Sequence, residues 1–226
     1  MVRGREISSA VAGAAKPLLR GWVHVVAFFL AIPTGIAVVL MAGTPRARVG
    51  AAVYATGLVA LFGVSGAYHR IRWSDRWCKR MQRLDHATIF VMIAGSYTPV
   101  CLLVLDGWVA VATLVAAWVG AAVGGVLAWA RTDRVRVIRN GLYIAVGWVA
   151  VAALPQLVDR LTVTQMALIA AGGLLFTIGA VFLFTRWPDP VPHVFGYHEV
   201  WHVLVVAAVI CHLIAIGSVI HAGGAS

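Results

Sequence analysis

The 226-residue chain is 62% hydrophobic and 12% charged, with a net charge of +10 and a mean hydropathy of +0.91. That much apolar surface excludes a soluble domain, and several uncharged runs reach the roughly 18 residues a helix needs to cross a hydrocarbon core. The runs lack the period-two alternation of a barrel, and basic residues gathered in short segments between runs exclude a nucleic-acid-binding face.

The expected fold is all-α: a single polytopic membrane domain over residues 1–226, with seven transmembrane helices. The first 20 residues are basic but carry no compact cleavable signal, so the first apolar run reads as a retained span. It extends from about Trp22 to Met41, with His24 near its start and Pro33 inside. The second covers Gly50 to Tyr68 and the third Ala87 to Leu105. Between them, Arg70 to Arg83 reads as the longest segment outside the membrane, a basic loop near anionic headgroups. The fourth span is Trp108 to Ala130, entered through an Asp106-Gly107 turn, and the fifth Gly141 to Val158. The sixth is Met166 to Thr185. The link Arg186 to His193 holds three prolines, too many for a helix. The seventh span is Tyr197 to Ile220. Trp22, Trp108, Trp148, Trp187 and Trp201 fall near span ends, where interfacial aromatics gather.

Charge sets the expected orientation. Arg3, Arg5, Lys16 and Arg20, the six basic residues from Arg70 to Arg83, Arg131, Arg134, Arg136 and Arg139, and Arg186 share one side, leaving Arg46, Arg48 and Arg160 on the other. The positive-inside rule puts the N-terminus in the cytoplasm and the C-terminus outside, in a plasma or inner membrane. The partners implied are membrane lipids, with no nucleic acid; oligomeric state is left open. Cys78, Cys101 and Cys211 have no C-x-x-C spacing and supply neither a disulfide framework nor a thiolate metal site.

Ionisable residues at membrane depth are costly unless paired or bound to an ion, and here they gather at one leaflet. His69 closes the second span, Asp85 and His86 open the third, and His198 and His202 open the seventh; Ser65 lies one turn from His69 on the same helix face. Taken singly, each has a plainer reading. His69 could be an interfacial group facing water, Asp85 a helix cap, and Ser65 a helix–helix hydrogen-bonding group. His86 points about 100° away from Asp85 and reads as structural. His212 lies too far along its helix to join, while His24, His193 and His221 read as ordinary interfacial groups. Together, His69, His198 and His202 form a plausible three-histidine zinc site with an open fourth position, and Asp85 is the nearby carboxylate. His198-Glu199-Val200-Trp201-His202 also matches H-E-x-x-H, the metalloprotease pattern in which the Glu is the base, but the motif opens the last helix and leaves no further ligand downstream.

Three segments resemble one family. Ser65-Gly66-Ala67-Tyr68-His69-Arg70, then Leu84-Asp85-His86 with Ile93-Ala94-Gly95-Ser96-Tyr97-Thr98-Pro99, then Phe195-Gly196-Tyr197-His198-Glu199-Val200-Trp201-His202 are similar, in order, to the signatures of the hemolysin III proteins, the bacterial branch of the progestin and adipoQ receptor family. The resemblance covers about residues 20–221. It implies seven helices, zinc held by His69, His198 and His202, and Asp85 and Ser65 as catalytic residues beside the open coordination position. In that family Glu199 would face headgroups or Arg186. Kinship with alkaline ceramidases implies hydrolysis of a lipid amide or ester contributing to membrane homeostasis. The alternatives are a receptor-like protein with structural zinc and a pore-forming cytolysin.

Overall fold

A computed structural model describes residues 17–130 and 132–223. Arg3, Arg5, Lys16 and Arg131 of the charge pattern lie outside the described residues. The described chain is helical, with one isolated β-bridge between Val191 and Phe195. Its helices are α1 (Trp22–Leu40), α2 (Pro45–Arg70), α3 (Asp75–Leu103) and α4 (Gly107–Leu127). They are followed by α5 (Asp133–Gly147), α6 (Leu154–Arg160), α7 (Val163–Thr185) and α8 (Tyr197–Ala222). Among the described residues, seven stretches are long and apolar enough to cross a membrane, the fifth being Val137–Arg160.

Two expectations are corrected. Residues 75–83 are not loop: α3 starts at Asp75, so a basic, amphipathic two-turn extension precedes the apolar run. Asp85 and His86 therefore lie inside a continuous helix, about 15 Å beyond its start, and Asp85 is no cap. The fifth span is not one helix. α5 ends at Gly147, a five-residue 3-10 turn (Val149–Ala153) follows, and Pro155 opens α6 in the first turn, where its missing N–H costs nothing. Trp148, expected near a span end, sits at this break and donates its Nε1–H to Thr177 Oγ1 of α7 (3.2 Å).

Backbone groups freed at membrane depth need partners. Tyr97 of α3 supplies them: its hydroxyl donates to Gly147 O (2.8 Å) and accepts from Ala150 N–H (2.9 Å). Around it lies one of two cores, built by Phe90, Tyr97, Ala117, Ala121 and Leu157 from α3, α4 and the fifth span.

The other core, with Tyr54, Leu58, Phe62, Met92, Val205, Val209 and Ile216, joins α1, α2, α3 and α8. α8 touches α1, α2 and α3 and packs most extensively on α7, so polar residues on its first turns enter the middle of the bundle. Trp201 faces this core rather than the interface. Apolar side chains such as Phe29, Leu30, Leu40, Val126 and Ile214 remain exposed on the perimeter, as a hydrocarbon surround requires.

Candidate metal centre

The centre is assembled where α8 begins. The link before it folds back on itself through the Val191–Phe195 bridge, and two carboxylates cap the helix. Asp189 Oδ1 accepts from Tyr197 N–H (2.9 Å), and Glu199 Oε2 accepts from Gly196 N–H (2.9 Å). With the first turn held this way, His198 and His202, four residues apart, present their rings on one face.

His69, at the last turn of α2, meets them. Its Nε2 lies 3.3 Å from His198 Nε2. The ring centroids are 4.9 Å (His69–His198), 5.1 Å (His69–His202) and 4.6 Å (His198–His202) apart. One nitrogen from each of the three lies within 4.8 Å of the others. His202 is buried and His198 half-buried.

These residues fit a zinc ion on two counts. Nitrogens bound at about 2.0–2.1 Å in a tetrahedron stand about 3.3–3.4 Å apart, which is the His69–His198 spacing. In addition, His202 Nδ1 is buried without a hydrogen-bond partner. An orphaned nitrogen is costly, and a cation held by the ring offsets that cost.

Asp85 is outside this donor set, the other described acidic groups likewise. The buried Ser65 hydroxyl donates to the Asp85 carboxylate, which also lies near Tyr68. Ser65 and Asp85, on different helices, are therefore brought together. His86 is not part of the cluster, and its backbone carbonyl accepts from Tyr143 Oη–H (3.1 Å). His212 turns to α7, its Nε2 3.2 Å from Ile169 O, in space that Gly172 leaves open. His193 and His221 are exposed.

Two residues behave differently from the sequence reading. Glu199 faces neither headgroups nor Arg186: it is fully buried, paired with Arg20 Nε, and its second oxygen caps α8. Both oxygens are thus engaged, which removes the protease-type base of H-E-x-x-H. His24 is no interfacial group. It is 3% exposed and lies flat on His202, ring centroids 3.8 Å apart and planes 9° from parallel. One signal for it exists in the sequence: Ala27, Ala31 and Gly35 continue from His24 as a buried, small-residue stripe on α1.

The segment before α1 wraps over this corner. Leu18 N–H and Leu19 N–H donate to His193 O (3.0 Å) and Val194 O (3.1 Å), and the Arg70 guanidinium sits 4.6 Å above the Trp22 ring. Gly21 has φ +81°, and a Cβ there would come within 2.5 Å of His69 Cβ. An apolar groove of about 580 Å³ between α1 and α2, lined by residues such as Ile36 and Val59, and a cavity of about 450 Å³ among Asp75, Arg76, Lys79, Arg80 and Arg83 both lie away from the histidines.

A family profile described as Haemolysin-III related matches residues 13–213. A Bacillus cereus protein named Hemolysin-3 is 32% identical over 188 residues, covering 81% of this chain and 82% of that one. A Hemolysin-3 homolog of Bacillus subtilis (strain 168) is 26% identical over 186 residues, 81% of this chain and 84% of its own. The human monocyte to macrophage differentiation factor is 25% identical over 173 residues, 75% of this chain and 69% of its own.

Proposed function

The chain belongs to the haemolysin-III-related family of integral membrane proteins, and from that premise we propose that it is a zinc-dependent hydrolase of an amide or ester bond in a membrane lipid. The observation that carries the reading is the convergence of three imidazole nitrogens within 4.8 Å at one end of the bundle. His69, His198 and His202 would hold the ion, which when bound supplies Lewis acidity to a carbonyl oxygen and to water. A donor set of three protein ligands leaves room for substrate, whereas closed structural sites fill all four positions from the protein.

Asp85 is the base in this reading. It does not belong to the three-histidine ligand set, so its oxygens are left to take a proton from water. Ser65, donating to Asp85, fixes the carboxylate's rotamer and so the direction from which it approaches that proton. His202 and Glu199, both buried, keep bulk water from the side of the centre facing α1.

The basic residues at the bundle end that carries the centre, Arg20, Arg70 to Arg83, Arg134, Arg139 and Arg186, support a cytoplasmic location for that end and an inner-leaflet substrate. A pore-forming role, suggested by the relatives' name, is less well supported, since a conducting path lines itself with polar groups at several depths.

The test is turnover of an N-acylated long-chain amine and of a phosphatidylglycerol ester by the purified chain in lipid nanodiscs, with zinc content measured in parallel. The expected result is hydrolysis by wild type, lost in both Asp85→Asn and His198→Ala, with zinc retained only in Asp85→Asn. Full zinc with no turnover of either lipid would replace this reading by a structural ion.

A further inference from the structure

We propose that His24 is a positioning residue of the metal centre: its imidazole, stacked flat on His202, holds that ring in the orientation from which it meets His69 and His198. The proposal rests on the zinc reading for the identity of the ion and on packing for everything else.

The need for such a residue follows from the side-chain torsions of histidine. The helix restricts χ1 of His202, but χ2, an sp³–sp² torsion, is broad. The backbone of α8 therefore delivers the ring to the right place without deciding where its nitrogens aim. A flat neighbour decides it, because rotation about χ2 would drive the His202 edge into the stacked face. His24 is that neighbour at 3.8 Å and 9°. It is itself clamped from α2 by Phe62, whose ring meets it edge-on at 5.1 Å and 63°.

The ring acts through its face. Neither His24 nitrogen makes a hydrogen bond of ordinary geometry, and both are buried. A π-face set against a ring that shares the charge of a bound cation is favourable, as in cation–π contacts.

His24 is in turn held in register by contacts one turn earlier. Arg20 pairs with Glu199, which lies between the two ligands of α8, and Leu18 and Leu19 bond to the carbonyls of residues 193 and 194. Gly21, in the left-handed region, lets the chain turn into α1 against His69. Residues 18–24 thus form one wall of the centre.

The experiment uses the full chain in detergent micelles, stripped with a chelator and titrated with Zn(II) against a chromophoric competitor. Co(II), whose visible spectrum reports ligand geometry, is titrated in parallel. His24→Ala is expected to weaken Zn(II) binding by about 10–100-fold, the usual effect of losing a residue that orients a ligand, and to shift the Co(II) bands. His24→Phe, which keeps a flat ring, is expected to restore both. Circular dichroism of the metal-free proteins separates misfolding from altered binding. Unchanged affinity and spectrum in His24→Ala, or a His24→Phe protein as weak as His24→Ala, would overturn the proposal. Binding by wild type that is abolished in His198→Ala but untouched in His24→Ala removes this proposal alone. Wild type that takes up neither metal removes the zinc reading and this proposal with it.

Discussion

Arg20→Leu removes the partner of a carboxylate that has no contact with solvent, Glu199 being fully buried. Breaking a buried ion pair from one side costs about 3–5 kcal/mol because the remaining charge is left uncompensated. The Arg20 side chain is 18% exposed, so water assists the pair and the lower end of that range applies. For a chain of this length, about 3 kcal/mol lowers Tm by about 6–12 °C. Glu199→Gln should cost less, about 1–2 kcal/mol, because an amide oxygen still accepts from Gly196 N–H. The double variant Arg20→Leu/Glu199→Leu should recover part of the loss, since an apolar pair leaves no stranded charge. Thermal unfolding in detergent, followed by circular dichroism with zinc content alongside, measures all three. An Arg20→Leu protein melting with wild type would refute the ion-pair argument. A Glu199→Gln protein of normal stability and zinc content but without lipid turnover would show that Glu199 is a base after all.

Tyr97→Phe should release the break in the fifth span without unfolding the bundle. Losing one membrane-buried hydrogen-bonding group, worth about 0.6–1.7 kcal/mol, predicts a roughly 3- to 20-fold faster amide exchange over residues 147–153, read by mass spectrometry. Gly21→Ala forces a side chain into the left-handed region, at a cost of about 1–2 kcal/mol, and pushes on His69 Cβ; both Tm and zinc affinity should fall. Chelation should destabilise wild type relative to protein held at 100 times the zinc Kd by about 2.7 kcal/mol, and should leave the Tm of His198→Ala unchanged.

The spans were legible because an uncharged run of sufficient length has one stable conformation in hydrocarbon, and their ends agree with the helices to within a few residues in α1, α4, α7 and α8. Where composition and conformation part, legibility failed. Asp75–Arg83 is helical but basic, so hydropathy read it as loop; its cations at 76, 79, 80 and 83 are spaced for one helical face. The backbone at the break around Trp148 is satisfied by Tyr97, about fifty residues away, which no local pattern reveals, although Pro155 marks a helix start. His69, His198, His202, Asp85 and Ser65 stood out because polar groups at membrane depth need partners. His24 and Glu199 were misread because their partners, His202 and Arg20, are fixed by the packing of α1 on α8 rather than by spacing along the chain.

The most direct measurement is elemental zinc content of detergent-purified wild type beside His202→Ala and Asp85→Ala. About one zinc per chain is expected in wild type, retained in Asp85→Ala and lost in His202→Ala, as a three-histidine donor set requires. Loss of the ion in Asp85→Ala would make the carboxylate a ligand and the site a closed one. Wild type that stays free of zinc after supplementation would overturn the metal centre itself.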